Sequence, residues 1–444
     1  MLNRIIVLSL LLPSILLGQN TIKGTFSPAE DYNVALLYKV TPTLSEYITN
    51  SEVKADGTFE FKLDSTATKG MYRVVYAVPQ EDYNFDVIYN TEEDIELKFN
   101  AETGVEFLSS NENKLIASYT NSMSMITQSI GSYFRQKSND TTALKTIFKT
   151  QKETQLNFEK AAKGMIALEF IKANKPYIPE KFKDVNTYIN SLKTHYFDYV
   201  DFNNTTLQSS SFLEERMLNY VFGTKADGVD EVQNYKNNID VFCKAMKDVS
   251  NEVKRILLID LWEQMRDLNF ESVANYISET YLLDIAISLN DQELVKGLML
   301  LINTAIGETA PDFSIEIKEN EKLVTKNLSD LEGNNNYILV FWSSSCSHCL
   351  DEIPQLQSFI KNKEKGLVQV VAIGLEDEPY RWKDLTYTYP EFIHVYGEGK
   401  WDNEIGNTYG VTATPTYFIL NKEKQIISKP EDFEVLKSFF EVTE

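Results

Sequence analysis

Cysteine is scarce: the chain has three in 444 residues. Disulfides are therefore not the framework of the fold. Two of the three, Cys346 and Cys349, form a single C-x-x-C, and Cys243 stands alone far upstream. A zinc site needs a second C-x-x-C or a C/H pair at ligand spacing, which this chain lacks, so no metal is expected. No cofactor is expected either. Positive charge is short as well, with 43 Lys and Arg against 65 Asp and Glu, a net charge of −22. Nothing in that balance offers a phosphate backbone a basic face, so neither nucleic acid nor an anionic membrane is an expected partner. The acidity reads as a solvated surface. No run after the first residues is long and apolar enough to cross a bilayer, which excludes stable membrane insertion of the mature chain. No period of repeat length is evident, which excludes a helical solenoid.

The first residues have the form of an export signal. Arg4 supplies the positive charge, and Ile5 to Leu17 form an apolar core broken by Pro13. That core is shorter than an ordinary membrane span. A cut after Gly18 leaves Gln19 first, and no cysteine stands there for a lipid. Residues 1–18 are thus expected to be a signal peptide, and the mature chain to be exported, periplasmic and soluble.

Three domains follow. Residues 19–107 read as an antiparallel β-sandwich. Thr58 to Leu63 alternates, with Phe59, Phe61 and Leu63 on one face, and Asp56-Gly57 before it is a hairpin turn signal. Strand-like pieces recur at Asn33–Tyr38, Met71–Val78, Phe85–Tyr89 and Ile95–Phe99. Residues 108–305 read as α-helical: glycine and proline are sparse and the apolar spacing shifts to three and four, as in Val253, Ile256, Leu257, Leu261 and Met265. Cys243 and His195 lie there among apolar and aromatic neighbours and read as core residues. Gly307 to Phe313 marks the next boundary. In residues 306–444, buried strands end near Trp342, Gly374 and Leu420 and alternate with helices, the pattern of an α/β domain.

The last domain is organised around Trp342-Ser343-Ser344-Ser345-Cys346-Ser347-His348-Cys349. Tyr337 to Phe341 before it is a continuous apolar run, a buried strand. After it, Leu350, Ile353, Leu356 and Ile360 recur at helical spacing. The cysteines therefore sit where a strand turns into a helix. Free amides and the dipole at a helix N-terminus favour the thiolate, the reactive form of cysteine. A C-x-x-C in that setting reads as a redox pair. A structural disulfide is the alternative, but so short a loop constrains little of the unfolded chain.

Together these residues resemble the TlpA/ResA-type thioredoxin-fold thiol–disulfide oxidoreductases. The resemblance rests on Ala310-Pro311-Asp312-Phe313, on Trp342 four before the first cysteine, on Cys346-Ser347-His348-Cys349, on Pro354, and on Tyr409 to Thr416 around Pro415. It covers residues 307–444. The order of a β module followed by helices is similar to multidomain TlpA-like proteins of Bacteroidetes-type bacteria. The resemblance implies a Cys346–Cys349 disulfide in the oxidised state, Cys346 as nucleophile and Cys349 as resolving thiol. It implies a cis peptide before Pro415, with Thr414, Pro415, Trp342 and His348 at the substrate surface. Thioredoxins carry a buried aspartate where this chain has Val340. TlpA/ResA-type proteins place a glutamate three after the second cysteine, and Glu352 stands there. It shares a helix face with Cys349 and is the expected proton acceptor. Its alternative is an ordinary surface glutamate.

The expected function is reduction of disulfide-containing protein clients, with a membrane electron donor restoring the dithiol. His348 argues in the other direction, because a polar or positive neighbour that stabilises the Cys346 thiolate makes the pair more oxidising. The alternatives are therefore an oxidising or isomerising enzyme, and a client-binding or assembly protein in which the redox pair is secondary. A thiol peroxidase wants Pro-x-x-x-Thr-x-x-Cys, and Leu339 and Ser343 occupy those positions. Glu376, Asp377 and Glu378 read as a solvated acidic loop, and His394 as structural.

Overall fold

The computed structural model describes residues 20–443 apart from 182, 320 and 321. The expected signal peptide lies outside the described residues. The chain divides into two compact units, residues 1–260 and 261–444.

The first unit opens with eight strands: β1 (Thr21–Ser27), β2 (Val34–Val40), β3 (Ser45–Glu52), β4 (Thr58–Lys62), β5 (Gly70–Val75), β6 (Asn84–Tyr89), β7 (Ile95–Asn100) and β8 (Gly104–Phe107). They form two four-stranded sheets, ordered β4-β1-β7-β8 and β3-β2-β5-β6. Alternate residues of both sheets supply one core, including Ile22, Leu37, Phe59, Phe61, Val74, Val87 and Leu97. One pairing departs from the antiparallel expectation: β1 and β7 run parallel, from Ile22 opposite Ile95 to Ser27 opposite Asn100. Alternation tells which face of a strand is buried but is the same read in either direction, so strand polarity was not available from it.

Helices α1 (Asn111–Arg135), α2 (Thr141–Ala161), α3 (Ala167–Ala173), α4 (Val185–Thr194), α5 (Phe212–Gly223) and α6 (Glu231–Ala245) follow. Aspartates start three of them: Asp140, Asp184 and Asp230 accept backbone N–H bonds in the first turns of α2, α4 and α6. Buried Asn113 ties α1 to β6 through two bonds with the Ile88 backbone, at 2.7 and 2.8 Å. A non-helical segment, residues 174–179, separates α3 from α4. Cys243 on α6 is half-buried, and burial pushes its thiol up to about 12, the behaviour of an inert core cysteine. Helix α7 (Asn251–Asp267) runs across the boundary between the units.

The second unit begins with helices α8 (Glu271–Ile277), α9 (Leu283–Ser288) and α10 (Gln292–Asn303). A hairpin of β9 (Ser314–Glu319) and β10 (Lys322–Asn327) follows. The rest is α/β: β11 (Asn336–Trp342), α11 (Ser347–Lys361), β12 (Val368–Glu376), α12 (Pro379–Thr386), β13 (Ile393–Glu398), α13 (Glu404–Thr408), β14 (Thr416–Asn421), β15 (Ile426–Ser428) and α14 (Phe433–Thr443). The sheet order is β13-β12-β11-β14-β15. Strands β11, β12 and β13 are parallel, while β14 runs antiparallel to β11.

Both faces of this sheet are covered. Ile338, Val340 and Trp342 face a core shared with Ile353 and Leu356 of α11 and with Leu436 of α14. Tyr337, Leu339 and Phe341 face a second core with Ile315 and Leu328. A strand buried on both sides has no polar face, which is why β11 reads as a continuous apolar run. No helix among the described residues is long and apolar enough to cross a membrane.

Candidate active site

The carboxyl end of β11 lies where the chain leaves for β12 on one side and receives β14 on the other. Such a switch point in an open α/β sheet leaves a crevice at the strand ends. The cysteine turn occupies it. Ser343 and Ser344 are buried, and the turn closes as the Cys346 N–H donates to the Ser343 carbonyl at 3.1 Å. Cys346 is the N-cap of α11, with its Sγ accepting the Cys349 N–H at 3.4 Å. The sulfur thus satisfies one of the orphan amides of the helix end. Pro354 lies inside α11, where it donates no hydrogen bond to the preceding turn.

The two thiols are set apart by their surroundings. Cys346 is half-exposed and Cys349 is 0% exposed. Partial burial raises the Cys346 thiol, but this is outweighed by hydrogen bonds from the Thr414 side chain, the Cys349 thiol and the Cys349 and His348 backbone, so its pKa falls below the ordinary value. Burial, with the hydrogen bond to Cys346 second, pushes Cys349 up to about 12. The first proton to leave the pair therefore leaves Cys346, and Cys349 keeps its own and donates it.

The peptide bond between Thr414 and Pro415 is cis. Thr414 lies against the nucleophile: the Cys346 thiol donates to its carbonyl at 3.1 Å. Both Thr414 and Pro415 are half-buried, and His348 is exposed on the first turn of α11. These three residues and the cysteines come together around one turn. Trp342 does not join them at a substrate surface. It is 0% exposed and packs edge-on against Tyr389 at 6.2 Å, in the core beneath the turn. The side chain of the last residue of β11 follows the strand's alternation inward, which the expectation of a substrate contact overlooked.

Glu352 is half-buried, and its Oε2 accepts from the Tyr417 hydroxyl and from the Phe433 N–H, each at 2.9 Å. No hydrogen bond joins it directly to Cys349 among the described residues, and its Oε1 takes part in none. Tyr417 faces both groups: burial first, then the Glu352 charge and hydrogen bond, then Cys349, raise its hydroxyl pKa. It is a fixed donor to Glu352. Sequence reasoning missed Tyr417, since its partner is 65 positions away and their meeting depends on the register of β11 with β14.

Glu376 was also misjudged. It is buried at the end of β12, and its carboxylate accepts the Ser344 N–H inside the cysteine turn. Only Asp377 and Glu378 of that acidic stretch are exposed. Its position at the carboxyl end of a parallel strand was the available signal. His394 is half-buried on β13 with Nε2 2.8 Å from the Tyr389 carbonyl, and burial lowers its pKa. Among the described residues no group of three or more His, Cys, Asp or Glu is arranged to hold a metal.

Residues 306–429 match the AhpC/TSA family. Over 126 residues the chain is 31% identical to the thiol–disulfide oxidoreductase ResA of Bacillus thuringiensis, an alignment covering 28% of this chain and 68% of that protein. A domain of a possible thiol–disulfide isomerase from Cytophaga hutchinsonii is 29% identical, covering 31% of this chain and 92% of that one, with a TM-score of 0.26. A thioredoxin-like protein from Bacteroides caccae is 19% identical, covering 61% of this chain and 98% of its own, with a TM-score of 0.32.

Proposed function

The chain belongs to the ResA/TlpA-like thiol–disulfide oxidoreductases through its C-terminal domain, and on that premise we propose that it is an exported enzyme that reduces protein disulfides through Cys346 and Cys349. The observation that carries this reading is the split between the two thiols, one half-exposed and lowered, the other buried and pushed up to about 12. A pair so divided has one nucleophile and one proton-retaining thiol, the division that dithiol exchange requires.

The Cys346 thiolate attacks one sulfur of a client disulfide. A new S–S bond joins Cys346 to the client, and the other client sulfur leaves as a thiolate and takes a proton from solvent. The client backbone lies along Thr414 and Pro415 as an added extended segment. Cys349 then gives up its proton and attacks Cys346, releasing the second client sulfur as a thiolate. The client leaves with two electrons gained, and the chain holds the Cys346–Cys349 disulfide. Glu352, with Oε1 free and Oε2 held by Tyr417 and Phe433, is the acceptor for the Cys349 proton. A membrane electron donor returns two electrons and reopens the disulfide. Residues 1–18 direct export to the periplasm. Residues 19–107, a β-sandwich, and the helices of 108–305 carry the redox domain 306–444 and present it to clients.

Two measurements test this. Cys349→Ser is expected to trap client mixed disulfides on a non-reducing gel, and Cys346→Ser to trap none. A trap that forms with Cys346→Ser alone would reverse the roles. The reduction potential of the pair, by equilibration with a thiol buffer, is expected near the thioredoxin value of about −270 mV. A value near about −120 mV would make the enzyme an oxidant with His348 as the controlling residue.

A further inference from the structure

The first unit contains a cavity of about 960 Å³ between α2, the non-helical segment after α3 and the end of α4. Six lysines line it against two acids, Glu180 and Asp198, in a chain whose net charge is −22. Lys145, Lys149 and Lys152 follow one another at i, i+4 and i+7 along α2, on one helix face. Lys145 and Lys152 form no ion pair among the described residues, and Lys149 meets only exposed Glu153, at 3.7 Å. Lys175 lies over the Tyr199 ring at 4.7 Å. The opposite wall is partly apolar. The Tyr177 and His195 rings are stacked at 4.3 Å and 1° from parallel, Asp198 holds His195 Nδ1 at 2.6 Å, and Lys183 donates to the Tyr177 hydroxyl at 2.8 Å.

We propose that this cavity binds an extended acidic peptide segment of a partner protein. The lysines along α2 rise about 6 Å and then about 4.5 Å. Carboxylates on alternate residues of an extended chain are about 6.6 Å apart, so two of them can meet the stripe at once. The intervening side chains face Phe148, Ile178 and the Tyr177–His195 stack. A long nucleic acid fits worse, because its phosphates run past the cavity along a chain whose net charge is −22. Lysine point charges suit carboxylates without demanding bidentate geometry. The site does not rest on the redox reading: its residues are all in the first unit and use no thiol chemistry.

The test is fluorescence anisotropy with the full chain and a labelled peptide that alternates glutamate with leucine, beside a counterpart carrying glutamine. The glutamate peptide is expected to bind saturably and to prefer low salt. The triple variant K145Q/K149Q/K152Q is expected to weaken it by about tenfold. A control triple variant of exposed lysines in and between the N-terminal strands, K54Q/K62Q/K69Q, is expected to leave binding unchanged. Equal weakening by both variants, or equal binding of the glutamine peptide, overturns the proposal. Displacement by inorganic phosphate as readily as by unlabelled peptide would also overturn it, in favour of a small-anion site.

Discussion

At the scale of residues, the chemistry rests on how two identical side chains are made unequal. Cys346 caps a helix, donates to the Thr414 carbonyl and accepts the Cys349 N–H, while Cys349 lies in the core one turn further on. The pair is coupled, since the Cys349 thiol is one of the donors that lower Cys346. Replacing Cys349 by alanine removes that donor and should raise the Cys346 pKa. The sign follows directly. The thiolate is the reactive form, so reactivity is present above the depressed pKa and is lost as the pH falls through it. In the native chain the alkylation rate of Cys346 should halve at a lower pH than that of an ordinary thiol. In Cys349→Ala the midpoint should move upward. Iodoacetamide labelling against pH, read by mass spectrometry on the reduced protein, measures both midpoints. An unchanged midpoint would mean that Thr414 and the backbone amides alone set the thiolate.

At the scale of elements, the site depends on close packing in the strand next to β11. Gly374 on β12 is paired with Trp342 on β11 and Tyr396 on β13, and a Cβ there would lie 1.9 Å from Trp382 Nε1. Trp382 is buried on α12 within the core on the α11 side of the sheet, so its ring has little room to move. Gly374→Ala should therefore destabilise the second unit by about 1–3 kcal/mol, the usual cost of overpacking. All four tryptophans lie in residues 261–444, three of them (Trp342, Trp382 and Trp401) beyond α7 and Trp262 on α7 at the boundary, so urea unfolding followed by tryptophan fluorescence reports chiefly on that unit. What the sequence could reveal divides at the same scale. The strand before Cys346, the helix after it and the alternation of Phe59 and Phe61 are carried by neighbours within a few positions, and periodicity displays them. Tyr417 with Glu352, Glu376 with Ser344, and β1 beside β7 join residues 65, 32 and about 73 positions apart. Those meetings are set by strand order and register, which no local pattern encodes. The inward turn of Trp342 is the intermediate case, legible once the strand's alternation is carried through to its last residue.

At the scale of the whole molecule, composition hides what arrangement creates. A net charge of −22 offers no basic face in sum, yet the fold gathers six lysines around one cavity. It also places a carboxylate where it is costly. Glu214 on α5 is half-buried, and burial first, then the charges of Asp260 and Glu215, raise its pKa from 4.5 to about 7, with Arg73 opposing. Arg73 is itself engaged by Asp86 at 2.7 Å, which limits what it offers Glu214. An acid whose folded pKa is raised binds its proton more tightly in the native state, so its stabilising contribution is present below the unfolded value and is lost as the pH rises to the folded one. For Glu214 the loss runs from about 4.5 to about 7. Glu214→Gln removes that titration. It should raise the stability of the first unit above neutral pH by on the order of 1 kcal/mol, a figure discounted for partial exposure, and leave it nearly unchanged near pH 4. The first unit contains no tryptophan, so the two units can be followed separately. The gain should appear in the far-ultraviolet circular dichroism melt and be absent from the tryptophan fluorescence melt. A gain of equal size at both pH values would trace the effect to packing rather than to the proton, and a shift in the fluorescence melt would show that the two units unfold together.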